Sequence, residues 1–314
     1  MSKPHRLPLW SDLLLLAVAV VWGSSYGVVK GALLVYPVLS LLALRFGVTF
    51  VLLLPALRHL RHADARTWRG VLAAGGLLLG IYLAETFGVL LTRAANAAFL
   101  ISLSVVLTPL MEWWLLKRKP GRMECGAAAL SLLGAWLLAD DGAWRFQGGD
   151  VLTGDTLILV AALLRALNVC VSKRVMRDST LPPSSVTSVQ SGVVALGSMT
   201  IALLFAPGQW RHLPSFAAHG PFWASMLYLV LACTLFAFFV MNYAIKRSSP
   251  TRVALLMGSE PAFGALFACL WLGERISATA WVGGGLIVLA SLLATVRWRR
   301  SIPADSSRGV ASPP

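Results

Sequence analysis

Residues 12–30 read DLLLLAVAVVWGSSYGVVK and residues 155–173 read DTLILVAALLRALNVCVSK. Both stretches run from an aspartate through apolar residues to a lysine, so Asp12, Trp22 and Lys30 fall on Asp155, Arg165 and Lys173 at a constant offset. About 20 mostly apolar residues in a helix rising 1.5 Å per residue cross the ~30 Å of a bilayer's hydrocarbon. Each stretch therefore reads as a membrane-crossing helix, and the pair reads as an internal duplication.

Working outward, apolar runs bounded by charges, Pro or Gly predict further crossings over 38–57, 70–91, 95–116 and 123–139 in the first half. After the polar stretch 140–150, the second half continues with 185–206, 222–244, 251–272 and 278–296. Pro37, Ser40 and Gly47 recur as Pro182, Ser185 and Gly192, and Thr108-Pro109 recurs as Glu260-Pro261. The expected architecture is an all-α integral membrane protein of ten helices: repeats over 12–139 and 153–296, then a cytoplasmic tail over 297–314. Five crossings is an odd number, so the repeats must be inserted upside down relative to one another. Inverted halves that exchange conformations yield two states open to opposite sides.

Composition excludes much else. In 314 residues, 57% are apolar and 13% charged, with a mean hydropathy of +0.75, whereas a soluble domain carries about 25% charged residues. Ten crossings of ~20 residues leave ~114 for loops and termini, too few for a soluble catalytic domain as well. The net charge of +14 is explained by position. With a cytoplasmic N-terminus, 20 of the 27 Lys and Arg residues, among them Arg61, Lys119, Arg177 and Arg300, fall on the cytoplasmic side. That asymmetry orients both termini inward and removes any need for a nucleic-acid partner. The first apolar run is longer than a signal-peptide core and has no small-residue cleavage site after it, so it is expected to be retained. Cys125, Cys170, Cys233 and Cys269 lie in apolar runs without metal-ligand spacing and read as packing residues.

The sequence also carries Trp22-Gly23-Ser24-Ser25, Leu44-Arg45-Phe46, Asn96-Ala97-Ala98-Phe99 leading to Leu107-Thr108-Pro109, and Glu260-Pro261 followed by Leu272-Gly273-Glu274-Arg275. In this order and spacing the chain resembles the EamA-type drug/metabolite transporters over almost its whole length. The resemblance implies a ten-helix basket, typically an exporter of amino acids or other small metabolites. Its central cavity would be lined by helices one, three, four, six, eight and nine. The first-half counterpart of Gly273-Glu274-Arg275, Leu116 to Lys119, departs from the pattern.

No zinc-protease pair, nucleophile elbow or phosphate-binding loop is present, so an enzyme, a cofactor and a metal are not expected. Ionisable side chains inside the membrane carry the information, because each costs about 2.5–3.5 kcal/mol at a helix centre and must face a partner or a wet cavity. Glu112 lies near an inner helix end, within reach of Lys117 and Arg118. Arg45 and Glu85 each lie about 10 Å inside the outer face, a depth that permits a structural or gating pair. Arg165 and Glu260 lie about 13 Å deep, near the midplane where inverted-repeat transporters place their substrates. Asn168 shares a helix face with Arg165, and Tyr82 shares one with Glu85.

The expected substrate site is thus Trp22, Tyr26, Tyr82, Glu85, Arg165, Asn168, Phe236 and Glu260. The function it suggests is export of a small metabolite, an amino acid or similar zwitterion, across the cytoplasmic membrane, with a proton or counter-substrate as a potential coupling partner. A drug or lipophilic-cation exporter, using the acids but not Arg165, and a non-transport intramembrane scaffold of a lipid-processing complex remain alternatives. Packed side chains would fill the midplane of a scaffold, and a cavity would mark a transporter.

Overall fold

The computed structural model describes residues 9–92, 94–139, 150–210, 213–272 and 277–296. Every regular element among them is helical. The first half contains α1 (Leu9–Leu33), α2 (Val38–Leu53) extended by a 3-10 turn (Leu54–Leu60), α3 (Ala65–Leu91), α4 (Ala94–Ser102), α5 (Ser104–Leu116) and α6 (Arg122–Ala139). The second contains α7 (Asp150–Asp178), α8 (Pro183–Phe205), α9 (Gly220–Val230), a π-helical segment (Leu231–Phe236), α10 (Ala237–Arg247), α11 (Pro250–Met257), α12 (Glu260–Leu272) and α13 (Ala278–Val296).

Seven helical spans among the described residues are long and apolar enough to cross a membrane; α6, α11, α12 and α13 are outside that set. Leu204, Phe205 and Leu270 are 70–80% exposed on the outer surface, where lipid rather than water would be their neighbour. The interior core, by contrast, gathers Leu15, Trp22, Phe46, Leu78, Val169, Val194, Phe238 and Leu256 from both halves.

Local chemistry sets the boundaries. Asp64 caps α3 by accepting from the Thr67 amide at 3.2 Å, so the helix starts at Ala65 rather than the expected Gly70. The run expected as one crossing at 95–116 is broken at Leu103, and that at 251–272 is broken at Gly258-Ser259. The second break was signalled by Pro261; at the first, Pro109 lies six residues into α5, so no proline or glycine marks Leu103. The breaks sit at related positions, and α5 packs against α11.

Packing follows the duplication. Helix α2 lies on α8 and α6 on α13, while the α1–α12 contact has its counterpart in α7 against α5. Asp12 near the start of α1 and Asp155 in the second turn of α7 behave in the same way. Asp12 Oδ2 accepts from the Arg252 guanidinium at 2.5 Å near the start of α11, and Asp155 accepts from the Thr92 hydroxyl just before α4. Each half thus ties its first helix to the entry of the other half's broken crossing. Arg252 is 5% exposed, drawn inside by Asp12.

Glycine permits the closest approaches. A Cβ on Gly283 would lie 2.5 Å from the Gly134 carbonyl oxygen, so α13 sits against α6 at backbone contact. A Cβ on Gly23 would lie 2.8 Å from the Gly264 nitrogen and 2.9 Å from the Glu260 carbonyl oxygen. That contact seats the first turn of α12, and with it Glu260, against α1.

Candidate functional site

Three charged side chains from three helices meet inside the bundle. Arg165 on α7 donates through Nη1 to Glu260 Oε2 of α12 at 3.1 Å, and its Nη2 lies 3.5 Å from Glu85 Oε2 of α3. The guanidinium carbon of Arg165 also stands 5.5 Å from the centre of the Trp22 ring of α1, close enough for a cation–π attraction. Glu260 is 3% exposed. Two small cavities open beside this contact, each with a volume of about 30 Å³. One is walled by Trp22, Ser102, Ser104, Thr108, Arg165 and Glu260. The other is walled by Trp22, Tyr82, Glu85, Arg165, Asn168 and Phe238.

The midplane pair expected from depth is therefore a three-member cluster. Glu85 belongs to Arg165; the expected Arg45–Glu85 pair is not formed. Equal depth did not bring those two together because Arg45 turns toward the π-helical segment. There its Nε donates to Thr234 Oγ1 at 2.6 Å and its Nη2 to the Cys233 carbonyl oxygen at 3.3 Å. The guanidinium stands 5.3 Å from the Phe46 ring centre and 5.5 Å from that of Tyr82. The Cys233 carbonyl lies in the π-helical segment and also accepts from Trp22 Nε1 at 2.9 Å. A π turn carries one more residue per hydrogen-bonded ring than an α turn, a distortion that collects at functional sites.

The remaining expected residues divide. Tyr82 stacks edge-on against Phe46 at 4.7 Å and lines the second cavity. Asn168 borders that cavity, but its amide nitrogen donates to the Ala74 carbonyl oxygen of α3 at 2.7 Å, so this donor holds α7 against α3. Phe236 packs against the core; Phe238, two residues on, is the ring that lines the cavity. The Tyr26 side chain and the segment Gly273-Glu274-Arg275 lie outside the described residues.

Other polar residues escaped the sequence reading. Gln190 Nε2 donates to Ser172 Oγ at 3.3 Å, and Asn242 Nδ2 donates to Gln190 Oε1 at 2.9 Å and Thr187 Oγ1 at 3.0 Å. With Asn168 they form a buried network joining α7, α8 and α10; uncharged amides inside apolar runs were the available signal. Glu112 does meet Arg118, at 3.0 Å, as its position near the C-terminal end of α5 foretold. It also accepts from the Thr251 amide at 2.9 Å and hydroxyl at 2.5 Å, an anion satisfying the N-terminus of α11. It is 1% exposed, so it is a buried tie rather than an interfacial group.

A helical membrane bundle of two repeats, with ionisable groups gathered around internal cavities, has the construction of a transporter. The chain belongs to the EamA-like transporter family, whose sequence pattern matches residues 9–139 and again 152–296. It is 26% identical, over 92% of its length and 87% of the relative's, to an uncharacterized transporter of Archaeoglobus fulgidus. It is 24% identical to an Escherichia coli protein named "Probable amino-acid metabolite efflux pump", covering 94% of this chain and 98% of that one. A further Escherichia coli relative, an uncharacterized inner membrane transporter, is 26% identical over 92% and 91%. The fold is also that of a solved crystal structure, with a TM-score of 0.75 at 20% identity over 94% of this chain and 99% of that chain.

Proposed function

We propose that the chain is a ten-crossing secondary transporter that exports a small organic zwitterion, an amino acid or close relative, across the cytoplasmic membrane by alternating access. Both termini face the cytoplasm in this reading. The observation that carries it is the Glu85–Arg165–Glu260 cluster, which lines internal cavities contributed by both halves. Charges of both signs held away from lipid suit a ligand that carries both. Aromatic walls from Trp22, Tyr82 and Phe238 suit an apolar side chain. The name of the Escherichia coli efflux relative and the charge asymmetry of the loops support substrate class and orientation respectively.

Cavities of about 30 Å³ hold a water or two. The conformer is accordingly closed around its site, and substrate enters once the halves have parted. Counterflow in proteoliposomes over neutral amino acids, sugars and organic cations tests this. Neutral amino acids are expected to exchange, whereas exclusive exchange of sugars or permanent cations would overturn the substrate class.

A further inference from the structure

We propose that Arg45 is the receptor for the substrate's carboxylate and that Arg165 is not. This inference rests on the zwitterion reading and assigns its two charges to separate groups. Arg165 already faces two carboxylates, Glu260 at 3.1 Å and Glu85 at 3.5 Å. A third anion brought to the same guanidinium would meet the repulsion of both. An ammonium entering beside Glu85 and Glu260 faces two carboxylates against the single guanidinium of Arg165, so the net effect is attraction.

Arg45 has the opposite surroundings. It is 6% exposed, and its hydrogen-bond acceptors are neutral: the Thr234 hydroxyl and the Cys233 carbonyl. Among the described residues no carboxylate forms an ion pair with it. A buried cation without a counter-anion is costly in a membrane interior, and an anion that visits during transport relieves the cost. The guanidinium is held beside the Phe46 and Tyr82 rings, which fixes its planar donor fork for two-point recognition of a carboxylate.

Tyr82 connects this cation to the cavity. Its ring stands 5.5 Å from the Arg45 guanidinium, and it lines the same cavity as Glu85, one turn along α3. Rotation of that ring would bring Arg45 and Glu85 into one compartment, with Arg45 for the carboxylate and Glu85 for the ammonium. The charged and ionisable groups around that compartment are Arg45 from α2, Tyr82 and Glu85 from α3, Arg165 from α7, Cys233 from the π segment and Glu260 from α12.

The test compares neutral L-amino acids with the amines formed by their decarboxylation, as competitors for binding to the purified full-length protein. In Arg45→Gln, amino acids are expected to bind at least tenfold more weakly while the matched amines hold their affinity. Arg45→Lys, which keeps the charge but loses the fork, is expected to show a smaller loss in the same direction and covers the case in which the glutamine variant does not fold. Equal weakening of both ligand sets, or an unchanged amino-acid-to-amine ratio in the variant that folds, overturns the assignment and leaves Arg45 as a packing tie. Wild-type protein that binds the amines but no amino acid overturns the zwitterion reading itself, and Arg45's role with it.

Discussion

Arg165→Gln is expected to reduce transport per folded molecule at least tenfold, equivalent to about 1.4 kcal/mol, and to lower stability. With the guanidinium gone, Glu85 and Glu260 lose the cation they share. Glu260 is almost fully buried, and breaking a buried ion pair by removing one partner costs about 3–5 kcal/mol. Restoring the balance with Glu85→Gln in the same chain should return much of the stability but not the transport, because the ammonium site is then incomplete. Initial rates of counterflow, normalised to protein that elutes as a single species, measure the first effect, and thermal unfolding measures the second. Normal transport by Arg165→Gln would remove the cluster from the mechanism.

The second large effect is expected near the N-terminal end of α1. Asp12 and Arg252 form an ion pair with side chains 9% and 6% exposed, and Arg252 sits at the N-terminus of α11, where the helix dipole already disfavours a cation. Asp12→Ala should therefore cost about 3–5 kcal/mol of stability. Asp12→Ala combined with Arg252→Met, which removes both charges, should recover most of that loss. A double-mutant cycle read by thermal unfolding gives the coupling. A single variant as stable as wild type would show that the pair does not hold α1 to α11.

How far the sequence could be read is clear from these residues. Hydropathy and the recurrence of Asp12 and Thr108-Pro109 as Asp155 and Glu260-Pro261 exposed the two repeats, because span length and duplication are linear properties. Counting from helix ends gave the depth of Arg165 and Glu260, and they meet. The same counting matched Arg45 with Glu85, and they do not, because depth fixes height but not the direction a helix face turns. That direction depends on how α2 rests on α8 and α3 on α7. The π segment before Phe238 was equally invisible, since an extra residue in a turn has no composition of its own. Nor could spacing within one half show that Glu112 ties itself to Thr251, a residue of the other.

The central claim is that one internal site opens alternately to the two sides of the membrane. Ser104 lines the cavity that Arg165 and Glu260 share, so a cysteine in its place reports on that site directly once the four native cysteines have been replaced. Alkylation by a membrane-impermeant reagent should proceed from outside in right-side-out vesicles and from the cytoplasmic face in inside-out vesicles. A transported amino acid should slow both reactions. Labelling from neither side, or from one side only and indifferent to substrate, would contradict alternating access and favour a packed membrane scaffold.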